Sequence, residues 1–276
     1  MDTRIAIRDF LVSRRTRLRP QDVGMPPPAG QRRVPGLRRE EIAALAHVSV
    51  DQYVRLERGQ ASRVSDAVID AVATALRLTP AEHRYLHALA RPAPPPPRST
   101  AARGPVRPSV QCFLDSLRAA PAYLVGHGGT VLAWNRLATR VFLDFAELPE
   151  DRRTLGWMIF TDPRAREMYV DWPLKAREVA AFLRCELGRH PHDPELTRQI
   201  EQLRCYSQEF DALWRSHGVI ELSHGVTRAR TRVGVVELCR EILRLAGEPG
   251  EFVILHTPAT PEAAAVLATL EAPDTD

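Results

Sequence analysis

Val50, Asp51, Gln52 and Arg55 are the side chains best placed for chemistry in this 276-residue chain. They follow Ser49, a favoured helix N-cap type, and they precede Gly59, which suits the position just past a helix end. Tyr53 and Leu56 fall on the inner side of the same short helix. The four outward residues therefore gather near its N-terminal end, where a recognition helix presents side chains to base edges in the DNA major groove. An aspartate there accepts from cytosine N4, and a valine touches a thymine methyl group. One turn earlier, Ile42, Leu45 and Ala46 recur at helical spacing, and His47-Val48-Ser49 supplies a tight turn with Val48 inward. The pattern predicts a helix-turn-helix.

Charge is distributed in agreement with that reading. The chain carries a formal net charge of +4, but residues 1–98 hold 17 Arg and no Lys against 10 acids, a local +7, and residues 99–276 carry −3. A basic excess confined to the predicted reader is the footprint of a phosphate-facing domain. Other chemistries find less support. His127, His190, His192, His217, His224 and His256 offer bases and Ser207 a hydroxyl, yet no nucleophile elbow, phosphate loop or metal-spaced cluster accompanies them. The expectation is a protein that is not an enzyme and needs no cofactor. Cys112, Cys185, Cys205 and Cys239 are dispersed, which predicts separate buried thiols in a reducing cytoplasm. No apolar run approaches the roughly 20 residues of a membrane span, and Met1-Asp2-Thr3-Arg4 opens without a signal-peptide pattern, so no membrane association is expected.

The elements that must position these residues divide at proline. Arg91-Pro92-Ala93-Pro94-Pro95-Pro96-Pro97-Arg98 and the prolines to Pro108 predict an extended spacer over 91–108. Before it, five helices are expected to form an all-α bundle: Ile5–Arg17 with Ile7, Phe10, Leu11 and Leu18 inward, the helix-turn-helix pair, Ser65–Leu76, and Thr79–Ala90. Thr79-Pro80-Ala81-Glu82 is a strong start signal for the last. An irregular insertion, Arg19–Gly36, follows the first helix.

After Pro108 the pattern becomes α+β. Val110, Phe113, Leu114 and Leu117 suggest a short amphipathic helix, Ala122–Val125 and Val131–Asn135 a hairpin around Gly128-Gly129, and Arg136–Asp144 a helix. Val219–Leu222, Val235–Leu245 and Phe252–Thr257 complete about five strands, with Gly247-Glu248-Pro249-Gly250 turning between the last two. An antiparallel sheet with helices over one face is the natural closure. In the middle, Leu196, Ile200, Leu203, Ser207, Phe210, Trp214 and His217 share one face of a long helix, or of two helices broken near Cys205, bounded by Asp193-Pro194 and Gly218. Ser207 and His217 are polar members of an otherwise apolar stripe. They are either satisfied core hydrogen-bonders or the orienting groups of a pocket.

Residues 1–90 resemble an Xre/Cro-type helix-turn-helix domain. Arg19-Pro20-Gln21-Asp22-Val23-Gly24, Val34-Pro35-Gly36-Leu37-Arg38-Arg39-Glu40-Glu41 and Leu56-Glu57-Arg58-Gly59 resemble the MmyB-like transcription regulators more closely. The resemblance continues through Trp134-Asn135, Phe160-Thr161-Asp162-Pro163, Asp171-Trp172, Leu183-Arg184 and Ser207-Gln208-Glu209-Phe210 with Trp214, His217 and Val219. It implies that Arg39, Arg58 and Arg63 meet the DNA backbone while Val50, Asp51 and Arg55 read bases; Arg38, Ser49 and Gln52 are further DNA-binding candidates. It further implies a PAS-like ligand-binding domain over 109–276 that holds a small apolar molecule such as a fatty-acyl compound. Trp134, Trp157, Met158, Phe160, Tyr169, Trp172, Ser207, Phe210, Trp214 and His217 are the pocket candidates. The expected partners are double-stranded operator DNA, that ligand and a second copy of the chain, since one helix-turn-helix reads only a half-site. A second reading gives the C-terminal domain to dimerisation or protein contact alone, without a ligand.

Overall fold

The computed structural model describes residues 2–25, 36–92, 106–220, 222–246 and 250–272. The proline run at 26–28, most of the 91–108 spacer and residues 247–249 of the last expected turn lie outside them. The chain forms two compact units: Met1–Pro97 with Arg184–Gln199 and Leu213–Ile220, and Arg98–Leu183 with Ile200–Ala212 and Glu221–Asp276.

In the first unit, α1 (Thr3–Arg17), α2 (Arg39–Leu45), α3 (Val50–Glu57), α4 (Asp66–Ala75) and α5 (Pro80–Ala90) are the five expected helices. Three of the starts are fixed by a side-chain cap. Asp2 accepts from the Arg4 amide, Ser49 from Gln52 and Thr79 from Glu82, with Gln52 and Glu82 reaching back to complete capping boxes. The turn between α2 and α3 places His47 in the left-handed region at φ 54°, and Gly59 ends α3 at φ 74°. A Cβ at Gly59 would meet the Arg4 Cα at 2.4 Å, so the close approach of α1 requires glycine. Ile7, Phe10, Leu11, Leu37, Ile42, Tyr53, Leu56, Ile69, Val72, Leu86 and Leu89 build one core, joined by Cys185 and Val219 from the later segments. Each large apolar side chain buried there contributes roughly 1.5–3 kcal/mol. Leu45 and Val48 are only partly buried at its margin. The Arg19–Gly36 insertion is not wholly irregular: Pro20–Val23 forms a 3₁₀ turn closed by a left-handed Gly24.

The second unit is built on a five-stranded antiparallel sheet of β1 (Ala122–Val125), β2 (Val131–Trp134), β3 (Gly225–Thr231), β4 (Gly234–Arg244) and β5 (Phe252–Pro258), in the order β2-β1-β5-β4-β3. The hairpin from β1 to β2 turns through Gly128 and Gly129, at φ 66° and 81°. One sheet face, with Ala122, Leu124, Ala133 and Val253, packs under α6 (Pro108–Ser116) through Val110 and Leu114. The helices α7 (Arg136–Val141), α8 (Leu155–Thr161) and α9 (Pro163–Met168) follow β2. Next, α10 (Trp172–Arg189) lays Glu178 against Arg240 of β4 and Phe182 against Phe252 of β5. The helices α11 (Pro194–Tyr206) and α12 (Gln208–Arg215) precede β3, and α13 (Pro261–Glu271) packs on α7, β4 and β5.

Several expectations are corrected. Val219, Ile220 and Leu222 are not in a strand, and Glu221 lies outside the described residues; Val219 is buried in the core of the first unit, and the remaining strand is Gly225–Thr231. There Thr227 and Ala229 face inward and Val226, Arg228 and Arg230 outward, a pattern with its bulkier residues on the wrong side for a hydropathy reading. Phe113 is exposed on α6, and the helix after β2 ends at Val141 rather than near Asp144. Only Cys185 is a buried thiol; Cys112 and Cys205 are exposed and Cys239 is half-buried.

Candidate nucleic-acid interface

The helix α3 presents its outward residues from a fixed base. Ser49 Oγ accepts from the Gln52 amide at 3.1 Å, and Gln52 Oε1 accepts from the Ser49 amide at 2.9 Å. The Gln52 carbonyl is thus committed to the cap, which leaves its NH₂ as the outward group. Arg55 Nη2 stands 2.5 Å from Asp51 Oδ2 one turn away, so acid and base present themselves as a pair. Val50, Asp51, Gln52 and Arg55 are all exposed, as are Arg38, Arg39, Ser49, Arg58 and Arg63.

Underneath lies a buried acid that the sequence pattern did not single out. Glu57, on the inner side of α3, takes Arg15 Nη2 of α1 at 3.0 Å on one oxygen and Arg39 Nε of α2 at 2.6 Å on the other. Arg15 also donates to the Leu37 carbonyl at 2.8 Å. One carboxylate therefore joins α1, α2 and α3. The Glu57 hydrogen bond and charge raise the Arg39 pKa, and the Arg39 side chain stays half exposed beside α3. Glu82 is equally buried and pairs with Arg14 at 2.8 Å, so two acids that look like surface helix charges in the sequence hold basic α1 residues in the interior.

The second unit gathers polar groups of a different kind beneath its helices. Arg240 and His256 are direct cross-strand partners on β4 and β5. Arg240 is held bidentate by Glu178 at 2.6 and 2.9 Å, and Gly225 on the neighbouring strand leaves room for its guanidinium. Lys175 is buried, with Nζ 3.9 Å from Glu178 and 5.3 Å from the centre of the Tyr169 ring. Burial, then the Arg240 charge, lowers the lysine pKa to about 8. His256 is wholly buried between the rings of Tyr123 at 5.9 Å and Phe142 at 4.8 Å, and among the described residues neither ring nitrogen has a hydrogen-bond partner. Burial, reinforced by Lys175 and Arg240, holds its pKa well below the ordinary imidazole value. A buried polar group without a partner is rare and costly in a folded protein.

Two family models account for most of the chain. Residues 12–86 match a helix-turn-helix domain, and residues 106–270 match the ligand-binding domain of MmyB-like transcription regulators. The chain belongs to the MmyB-like transcription regulators. No curated protein matches it. Its helix-turn-helix domain is a DNA-binding module and its larger domain a ligand-binding one. Among the described residues, no helix is long and apolar enough to cross a membrane.

Eight of the ten pocket candidates of this regulator lie in the second unit. Phe160 packs on Phe210 at 4.9 Å and Trp172 at 6.1 Å, and the Trp172 indole donates to the Ile159 carbonyl at 3.0 Å. Trp157 and Met158 are buried on α8, with Trp157 against Tyr206 at 5.3 Å, while Tyr169 meets Phe142 at 6.1 Å and Trp134 meets Phe145 at 5.3 Å. Ser207 breaks the long helix into α11 and α12, and its hydroxyl accepts from the Phe210 amide at 3.2 Å as an N-cap. Its buried polarity thus has a structural use.

Trp214 and His217 belong to the first unit. The Arg184 guanidinium stacks on the Trp214 ring at 4.1 Å and donates to its carbonyl, and Arg14 of α1 donates to the His217 carbonyl at 2.5 Å. His217 itself takes the left-handed φ of 53° that Gly218 was expected to supply. Sequence reasoning missed Lys175, Glu178 and Arg240 altogether and noted His256 only as a free base. These residues are up to 81 positions apart, and no local spacing announces them.

Proposed function

We propose that this regulator is a cytoplasmic, one-component switch that reads operator DNA as a homodimer and responds to a small apolar ligand, such as a fatty-acyl compound. In this reading residues 1–90 are the reader, 91–108 a spacer and 109–276 the sensor. The observation that carries the reading is the exposed array of Val50, Asp51 and Arg55 on a helix fixed by its cap and by Glu57. Those three residues contact base edges and the NH₂ of Gln52 donates beside them, while Ser49 holds the helix end. Arg38, Arg39, Arg58 and Arg63 neutralise phosphates, with Glu57 aiming Arg39. The regulator acts through binding and performs no catalysis.

On the sensor side, Trp134, Trp157, Met158, Phe160, Tyr169, Trp172, Ser207 and Phe210 would surround the apolar body of the ligand. The unpartnered His256, next to two cations balanced by one carboxylate, supports an acceptor or anionic group at the ligand's polar end. Trp214 and His217 would act through the position of their segment in the first unit.

Arg55→Ala tests the reader. Affinity for selected operator DNA is expected to fall by about 1–3 kcal/mol while affinity for random DNA stays close to wild type. An equal loss on both would make Arg55 a phosphate contact and remove the base-reading role.

A further inference from the structure

On the first unit, away from the reading residues in sequence, α4 and α5 bring together three side chains with metal-ligand chemistry. His83 and His87 are one turn apart on α5, which sets both imidazoles on one face. Asp70 reaches them from α4. The Nε2 atoms of His83 and His87 stand 2.8 and 2.6 Å from the same carboxylate oxygen, Asp70 Oδ1. The three donor atoms all lie within 4.8 Å of one another, and the two ring centres are 4.9 Å apart. The helices beneath are fixed by Ile69, Val72, Leu86 and Leu89 in the core, so the donors project from a firm base. All three side chains are part-exposed, which gives an ion an entry path and leaves room for water as a fourth ligand.

We propose that Asp70, His83 and His87 form a binding site for one divalent transition-metal ion of the zinc class. Two imidazoles and one carboxylate suit Zn²⁺, Co²⁺ or Ni²⁺ better than Mg²⁺ or Ca²⁺, which prefer all-oxygen sets. Donors bound tetrahedrally at 2.0–2.2 Å are separated by roughly 3.4 Å, so the carboxylate oxygen has to move less than about an ångström away from each Nε2 to admit the ion. On binding, each imidazole turns a bare Nε2 to the metal and carries its one proton on Nδ1, and the Asp70 carboxylate exchanges its contacts with the two rings for the ion. The metal thereby cross-links α4 to α5 within the reader domain, stabilising the folded form by mass action.

The test uses the full chain, prepared without a histidine tag and stripped of metal by chelator. Titration with Zn²⁺, and with Co²⁺ followed by visible absorption, is expected to show one site and a melting midpoint raised by several degrees. Asp70→Asn, His83→Gln and His87→Gln, all at partly exposed positions, are each expected to weaken that site at least tenfold while keeping the wild-type circular dichroism spectrum. Absence of binding at 100 µM Zn²⁺, or equal affinity in wild type and all three variants, would overturn the proposal.

Discussion

His256 is the residue whose surroundings depart furthest from what its type prefers. Both nitrogens are buried without a hydrogen-bond partner among the described residues, and Lys175 and Arg240 oppose a charge on the ring. Its pKa in the folded chain lies well below the ordinary 6.5, so on acidification the unfolded chain takes up the proton first. Linkage then fixes the sign: this histidine's contribution is fully present above about pH 6.5 and is lost as pH falls below it. His256→Phe, which suits the ring cluster of Tyr123 and Phe142, is expected to lose less denaturation midpoint between pH 7 and pH 5 than the wild type. Parallel curves for the two proteins would show that His256 does not titrate in this way. Lys175 acts on the alkaline side. Its pKa falls from 10.5 to about 8, so stability climbs with pH across that interval, where only the unfolded lysine keeps its proton.

At the scale of elements, the helix-turn-helix was legible because its signals are local. Ser49 and Gln52 make the cap, Gly59 makes the stop, and Tyr53 and Leu56 make the inner stripe. The hairpin around Gly128-Gly129 and the starts at Thr79-Pro80 and Asp193-Pro194 were legible for the same reason. The strand β3 was not, since its inward residues are threonine and alanine while arginines and a valine face out. Glu57 escaped notice because a carboxylate on a short helix usually belongs to the solvent, and only the assembled bundle brings Arg15 and Arg39 to it. Its removal tests how far the reading surface depends on it. Glu57→Ala leaves the buried Arg15 cation without its acid and is expected to cost about 3–5 kcal/mol in denaturant unfolding of the full chain. Arg39→Ala removes only a half-exposed partner and should cost about 1 kcal/mol or less. Equal losses in the two variants would contradict the view that Glu57 serves chiefly as an interior tie.

For the whole molecule, sequence showed where one chemistry gives way to another, with a basic N-terminal third and an acidic remainder. It did not show that Arg184–Gln199 and Leu213–Ile220 would group with the N-terminal helices. That grouping follows from long-range packing, in which Cys185 and Val219 complete the core begun by Ile7 and Phe10. Segments of the ligand-binding domain's sequence are thus part of the compact unit that contains the reader. The most direct measurement is footprinting of the full chain on genomic DNA inside cells. Bound fragments should share one sequence motif with two related halves, spaced by one helical turn of about 34–36 Å or a multiple of it. Bound fragments with no common sequence would contradict a specific DNA-reading function.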